Sequence, residues 1–147
     1  MTASDTGGPV DIRSLADELE IRNLVARLAH LGDSCGPDDL DEYVGLFTED
    51  ACWEMAGNQR VGRAEILKGA RERRLIGQQG PGTNTRHVIT TQAVRLEGPE
   101  TAVSECCFLF MEHTLATPTV QNMGSYHDLL RREGGVWKVA SRQIVVG

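Results

Sequence analysis

Four histidines are the residues of this chain best suited to chemistry near neutral pH, and they stand at positions 30, 87, 113 and 127. A neutral imidazole is a competent general base, and a carboxylate bonded to its far nitrogen fixes the tautomer and stabilises the imidazolium that forms. No group of histidines, cysteines and carboxylates has the spacing of metal ligands, so we predict no metal site. Proton transfer is the chemistry that these residue types allow.

The cysteines and one glycine-rich segment offer little further chemistry. The four cysteines, at positions 35, 52, 106 and 107, show no C-x-x-C spacing, and the adjacent pair would point to opposite faces of a strand, which predicts reduced, buried thiols. Residues 77–82 (GQQGPG) lack the Lys-Ser/Thr of a P-loop and follow a helical pattern instead of preceding one. We interpret this segment as a linker or a lid.

The charge of the chain argues against a nucleic-acid partner. The formal net charge is −6 and the sequence pI is about 5.2, whereas binding to a polyphosphate backbone depends on clustered lysines and arginines. The densest basic stretch consists of Arg71, Arg73 and Arg74. We predict that it forms the solvated side of a helix.

Length and composition predict one globular domain. A chain of 147 residues suffices for one core, and its apolar fraction of 40% lies well above that of disordered chains. We assign residues 1–10 to a disordered N-terminus and residues 11–147 to the domain. The N-terminus lacks the basic start and apolar core of a signal peptide, and no later run is long enough to span a membrane. We therefore expect a cytoplasmic protein with no membrane partner.

The first helical pattern places Asp33 at a helix end. Ser14 and Asp17 are competing N-caps, and Asp17 with Glu20 has the spacing of a capping box. The apolar residues that follow recur at helical spacing up to about Gly32. Asp33 is therefore the residue at which this helix ends.

A second helix and a hairpin are predicted next. The helix should start at residues 36–39, bury Phe47 on its apolar face and close at residues 48–50. Residues 51–55 alternate as a strand does and lead into a tight turn, so a hairpin returning to Val61 is expected.

The rest of the chain changes from helix to strand. A third helical pattern covers residues 63–75. Long β-like stretches separated by Gly-Pro, Thr-Pro and Gly-Gly turns follow, at residues 84–96, 101–115, 119–132 and 136–146. Helices followed by a meander of strands predict an α+β fold, in which the sheet curls around a helix and leaves a pocket.

Several short motifs of this chain occur in the order in which one known family carries them. They are residues 46–51 (LFTEDA), residues 62–66 (GRAEI), Arg86-His87, Gly124-Ser125-Tyr126 and residues 135–138 (GVWK). In these motifs the chain resembles the nuclear transport factor 2-like superfamily, and within it the SnoaL-like branch. The resemblance implies a cystatin-like, cone-shaped barrel in which three N-terminal helices pack in a strongly curved, mostly antiparallel sheet.

The resemblance also implies an active site. Two enzymes of the branch, scytalone dehydratase and hexachlorocyclohexane dehydrochlorinase, look nearest, and both remove a proton and a leaving group without a cofactor. Each pairs an aspartate at the end of the first helix with a histidine on the first long strand, and these correspond to Asp33 and His87. His113 falls where the dehydratase has a second histidine, and Arg142 falls where the dehydrochlorinase has an arginine.

These correspondences imply a cofactor-independent lyase or isomerase that acts on an apolar, oxygenated small molecule, polyketide- or steroid-like in kind. His87 takes a proton, and Asp33 orients the imidazole and stabilises its charged form. Arg142 or His113 stabilises the departing or enolate oxygen. The side chains expected to bind the substrate are Leu28, Trp53, Met55, Met111 and Tyr126.

Structural interpretations of the same residues stay open. Asp33 could be only a turn-former and His87 only a structural histidine, which is the role we expect of His30 and His127. Arg142 could simply pair with a neighbouring carboxylate.

Other functions also stay open on the same fold. A polyketide cyclase could use the same pocket, as could an epoxide hydrolase if Glu105 or Glu112 joined Asp33 and Arg142, and the domain could bind a small molecule without catalysis. The outer face of such a sheet is usually covered by a second subunit, so we expect a homodimer or homotrimer.

Overall fold

The computed structural model describes residues 11–147, so the segment predicted to be disordered, residues 1–10, lies outside the described residues. The elements occur in the order α1 (Ile12–Ser34), α2 (Asp41–Gly45), β1 (Phe47–Met55), β2 (Asn58–Val61), α3 (Arg63–Leu75), β3 (Arg86–Leu96), β4 (Thr101–Glu112), β5 (Thr119–Glu133) and β6 (Val136–Val146). Helices precede a meander of long strands, so the predicted α+β class is confirmed.

One six-stranded sheet carries the fold. The strand order is β2-β1-β6-β5-β4-β3, and all neighbouring strands are antiparallel except β1 and β6, which run parallel. The sheet is curved but unclosed, because β2 and β3 remain as edges. Helix α1 packs against β3 and β6, and α3 packs against β1 and β2. The predicted arrangement of helices in a strongly curved, mostly antiparallel sheet is therefore confirmed.

The core lies between α1 and the sheet. Ile21 and Leu28 of α1, Phe47 of β1, and Trp137 and Val139 of β6 are almost completely buried. Each such side chain stabilises the fold by about 1.5–3 kcal/mol relative to an exposed position. Ile21 and Leu28 are seven positions apart on α1, which is the helical spacing that predicted this stripe.

Helix α1 begins earlier than its pattern predicts. Its N-cap is Asp11, whose carboxylate accepts hydrogen bonds from a backbone N–H of the first turn and from the hydroxyl of Ser14. The prediction of Ser14 or Asp17 as the cap was wrong, because both lie inside the helix, and Asp17 is buried. It accepts hydrogen bonds from the indole N–H of Trp137 at 3.2 Å and from the guanidinium of Arg132, and so ties α1 to the last hairpin.

The second helix is shorter than predicted and the strand after it is longer. Residues 36–39 precede α2 as a turn, while Phe47 and residues 48–50, which were predicted to belong to the helix, lie in β1. The cause is the parallel pairing with β6, in which Phe47 lies opposite Val139 and the backbone N–H of Val139 donates to the carbonyl of Leu46 at 2.9 Å. A contact between distant parts of the chain thus overrides the local helical pattern.

The remaining elements follow the sequence closely. The predicted hairpin returns to Val61, the third helix spans Arg63–Leu75, and the four long strands end within a few residues of their predicted limits. Within residues 11–147 no helix is both long and apolar enough to cross a membrane.

Candidate active site

The structure brings Asp33 and His87 together. Asp33 is the last residue but one of α1, and His87 is the second residue of β3. The backbone N–H of His87 donates to both carboxylate oxygens of Asp33, at 3.0 and 3.2 Å, and Oδ1 lies 2.6 Å from Nδ1 of the imidazole. The side chains are only 16% and 15% exposed. Nδ1 therefore holds its proton against the carboxylate, and Nε2 is the nitrogen left to accept a proton from a ligand.

His87 forms part of the wall of a cavity of about 170 Å³ between α1 and the sheet. Its ring packs against Phe110 with 4.6 Å between centroids. Four of the five side chains predicted to bind the substrate also line this cavity: Leu28, Trp53, Met55 and Tyr126. The wall around the His87 ring is thus largely hydrocarbon and aromatic, whereas Asp33 contacts the imidazole without lining this cavity itself.

The fifth predicted residue, Met111, does not line the cavity. Along β4 the buried side chains alternate with more exposed ones, so that Phe108 and Phe110 point inward and Met111 does not. A shift of one residue along a strand reverses the face, and this is the error in the prediction. The two phenylalanines are site residues that the prediction missed, although strand alternation alone could have identified them.

Gly124 gives Phe108 its place in the cavity. A Cβ at this position would lie 2.8 Å from the Phe108 ring and would collide with the backbone carbonyl of Val145 in the neighbouring strand. Phe108 then stacks on Tyr126 with 4.6 Å between the ring centroids. The Gly-Ser-Tyr motif of the sequence is therefore the point at which β5 makes room for the aromatic wall.

Arg142 also lines the cavity, and it is held by a carboxylate that the sequence analysis missed. Its Nε and Nη2 each donate to an oxygen of Asp128 at 2.8 Å, and both side chains are almost completely buried. Burial alone would lower the pKa of Arg142, but the Asp128 carboxylate outweighs it and raises that pKa, so the guanidinium stays charged. Nη1 makes no hydrogen bond within residues 11–147 and is the nitrogen available to a ligand.

The guanidinium of Arg142 lies 4.2 Å from the centre of the Tyr126 ring. Burial raises the pKa of the Tyr126 phenol well above its ordinary value, so this hydroxyl stays protonated. A charged donor and a neutral O–H donor therefore belong to the same cavity as the imidazole of His87. Such donors stabilise negative charge that develops on a substrate oxygen.

His113 does not belong to the cavity, contrary to the prediction. It follows β4 with a positive φ of 57°, its side chain is 65% exposed, and its Nδ1 lies 3.2 Å from the hydroxyl of Thr119. The position of β4 that pairs with His87 is Phe110 instead. Glu105 and Glu112, considered as further carboxylates, do not line the cavity either.

The prediction that all three clustered arginines are solvated is wrong for Arg74 and incomplete for Arg73. Arg71 pairs with Asp38 at the surface. Arg74 is buried, and Arg73 lines the cavity with its guanidinium 4.7 Å from the centre of the Trp53 ring. Polar side chains of Gln78 and Gln79, from the loop predicted to be a linker or lid, complete this part of the wall.

Arg74 stabilises the end of α1 that carries Asp33. Its guanidinium donates to the carbonyl oxygens of Cys35 at 2.7 Å, Gly32 at 2.8 Å and Ala70 at 2.8 Å. The last carbonyl groups of a helix have no hydrogen-bond donors within the helix, and here a buried guanidinium from α3 donates to them. The acid of the candidate pair is thereby fixed to a second helix.

The sequence of this chain matches one protein family over residues 13–143, the SnoaL-like domain. The chain belongs to the SnoaL-like domain family. The match extends from the first turn of α1 into β6 and includes Asp33, His87, Asp128 and Arg142. No curated protein matches the chain in sequence.

Solved structures share the fold of this SnoaL-like domain. A protein of unknown function from Mycobacterium tuberculosis is 25% identical with a TM-score of 0.74, over 97% of this chain and 78% of its own. A candidate scytalone dehydratase from Novosphingobium aromaticivorans is 17% identical, with a TM-score of 0.72 over 92% and 87% of the two chains. A nuclear transport factor 2-like protein with a cystatin-like fold from the same species is 22% identical, with a TM-score of 0.71 over 95% and 92%.

Proposed function

We propose that this SnoaL-like domain is a cofactor-independent lyase or isomerase that takes a proton from a small, apolar, oxygen-bearing substrate. The observation that carries the proposal is the bond between Asp33 and Nδ1 of His87 at the wall of the cavity. A carboxylate in this position fixes the tautomer and stabilises the imidazolium, which makes the histidine an effective base.

The reaction follows from the groups around His87. Nε2 takes a proton from a carbon next to a carbonyl group, and the electron pair moves onto the carbonyl oxygen as an enolate. Nη1 of Arg142 and the hydroxyl of Tyr126 are the donors that stabilise this oxygen. In a dehydration the enolate then expels a β-hydroxyl group, which leaves as water with the proton of the imidazolium. In an isomerisation the imidazolium returns the proton to another carbon.

The size of the cavity favours a compact substrate. Its volume of about 170 Å³ is similar to that of an apolar protein cavity that binds benzene, about 150 Å³. One ring of a substrate therefore fits between the aromatic walls, and further rings of a polyketide- or steroid-like molecule would extend through the open side. The candidate scytalone dehydratase of the same fold is named for a reaction of this class.

The site offers less support for the other functions. An epoxide hydrolase that adds Glu105 or Glu112 to Asp33 and Arg142 is disfavoured, because neither glutamate lines the cavity. One that uses Asp128, the carboxylate bound to Arg142, is an outcome of the test below. A polyketide cyclase would use the same base and remains an outcome of the test below. So does a domain that binds its ligand without turnover.

The test follows proton removal directly. Wild-type protein is incubated in D₂O with a panel of hydroxylated cyclic ketones and with epoxides, and NMR spectroscopy records loss of the C–H signal and any new product. We expect exchange or elimination with at least one ketone, and a fall of a hundredfold or more in His87→Ala and Asp33→Asn. His127→Gln, a change on the exposed face of the sheet, serves as the control and keeps full activity.

The outcomes separate the functions. Ring closure of an open-chain substrate would indicate a cyclase, opening of an epoxide would indicate a hydrolase, and tight binding without exchange would indicate a binding domain. Full activity in either His87→Ala or Asp33→Asn would contradict the proposed mechanism.

A further inference from the structure

Arg73 is a cavity residue to which neither the sequence motifs nor the proposed mechanism gives a role. It lies on α3, and its guanidinium stacks on the indole of Trp53, which itself is 5% exposed and lines the same cavity. Stacking on an aromatic face orients a guanidinium but uses none of its N–H donors. The edge of the guanidinium is therefore free to donate to a ligand.

The charge of Arg73 has no counter-charge nearby. Within residues 11–147 no carboxylate oxygen lies within 4.0 Å of its side-chain nitrogens. Its neighbours differ in this respect, because Arg60 pairs with Glu72 at 2.7 Å and Arg71 pairs with Asp38 at 2.8 Å. Arg73 is thus a cation without a partner at the wall of a largely apolar cavity.

The other charges around the cavity do not balance it. Arg142 is already neutralised by Asp128, and the carboxylate of Asp33, which keeps its charge beside a neutral His87, does not line the cavity. Behind the wall, Arg74 adds a second cation, whose nitrogens donate to carbonyl oxygens and whose guanidinium lies 5.5 Å from the centre of the Tyr43 ring. An acidic chain of net charge −6 therefore carries a locally positive cavity.

The guanidinium of Arg60 packs closely over Gly69, next to that of Arg73. A Cβ at this position would lie 3.0 Å from Nε of Arg60 and 3.4 Å from Nη1 of Arg73. Glycine in the interior of a helix costs about 1 kcal/mol relative to alanine. Here it lets the Arg60 guanidinium, a second cation beside Arg73, pack against α3.

We propose that Arg73 binds an anionic group of the ligand, so that the cavity takes a small cyclic carboxylate in preference to its neutral counterpart. The ring of such a ligand lies between the aromatic walls, and its carboxylate accepts hydrogen bonds from the guanidinium edge. Gln78 and Gln79 line the same cavity and can donate side-chain amide N–H groups to it. The proposal deepens the proposed function, since it concerns the same cavity, but binding by charge does not require that His87 act as a base.

The test compares two ligands that differ only in charge. Affinities of 4-hydroxybenzoate and 4-hydroxybenzamide are measured at pH 7 by calorimetry, for the wild type and for Arg73→Gln, Arg73→Lys and Arg71→Gln. Arg71 is the matched control, because it lies two residues away on the same helix and outside the cavity. Circular dichroism confirms that each variant is folded.

We expect the wild type and Arg71→Gln to prefer the carboxylate by about tenfold or more, which is the effect of one hydrogen bond to a charged group. Arg73→Gln should lose the preference, and Arg73→Lys should keep part of it. A preference that survives in Arg73→Gln, or a wild type that binds the amide as well as the carboxylate or binds neither, overturns the proposal. The preference should also persist in His87→Ala, so a failure of the catalytic mechanism is distinguished from a failure of the anion site.

Discussion

Replacement of Arg74 by methionine should cost the protein about 3 kcal/mol of stability. The side chain makes three hydrogen bonds of 2.7–2.8 Å to carbonyl oxygens, and two of these belong to the end of α1. A hydrogen bond to a charged group contributes about 1.5–3 kcal/mol. Burial of the cation opposes this, as its lowered pKa shows, so the net loss is smaller than the sum of three such bonds. Methionine keeps the apolar stem and leaves the carbonyls without donors.

Urea unfolding followed by circular dichroism measures this loss, and thermal unfolding should show a fall in Tm of about 10 °C. Arg71→Met is the control, because Arg71 forms only an exposed ion pair with Asp38, and it should change stability by less than about 0.5 kcal/mol. If Arg74→Met were no less stable than Arg71→Met, the conclusion that Arg74 fixes the end of α1 would be refuted.

Three further predictions concern packing, pH and assembly. Gly124→Ala should destabilise the protein by about 2–3 kcal/mol, since its Cβ meets the carbonyl of Val145 and the ring of Phe108; an unchanged Tm would contradict this. Burial raises the pKa of Asp17, but the hydrogen bonds from Trp137 and Arg132 outweigh burial, so the pKa lies below its ordinary 3.8. The contribution of the Asp17 carboxylate to the stability of the fold is therefore present above pH 3.8 and lost as the pH falls. The gap in unfolding free energy between wild type and Asp17→Asn should therefore narrow as the pH falls below 3.8, and a constant gap would count against it. We also expect self-association through the outer face of the sheet, where Met123 and Leu129 are more than half exposed. Light scattering should therefore give the mass of a dimer or trimer, and Leu129→Glu should dissociate it. A wild-type protein that scatters as a monomer of 16.1 kDa would contradict this expectation.

The long strands could be predicted because the sequence signals that define them lie within the strands and the turns beside them. Alternating apolar residues between Gly and Pro turns give the limits of β6 and nearly those of β3, β4 and β5. The start of β1 could not be predicted, because its parallel pairing with β6 depends on a distant part of the chain. The same limit hid the burial of Arg74, whose acceptors at Gly32 and Cys35 lie at the end of another helix, distant in the sequence.

The candidate site was accessible to sequence reasoning only in part. The resemblance supplied Asp33 and His87, and the structure places them in contact. The resemblance could not supply Asp128. If β5 and β6 paired without any irregularity, Arg142 would lie opposite His127. An irregularity between Leu129 and Leu130 shifts the pairing by one residue and brings Asp128 opposite Arg142.

The protonation pattern of the His87 ring tests the central claim most directly. In protein labelled with ¹⁵N on its histidines, two-dimensional NMR at neutral pH distinguishes the two ring nitrogens and shows which one carries the proton. The structure predicts a proton on Nδ1 and a free Nε2 for His87, and loss of this preference in Asp33→Asn. A wild-type His87 that carries its proton on Nε2, or one that does not respond to Asp33→Asn, would contradict the proposed acid–histidine base.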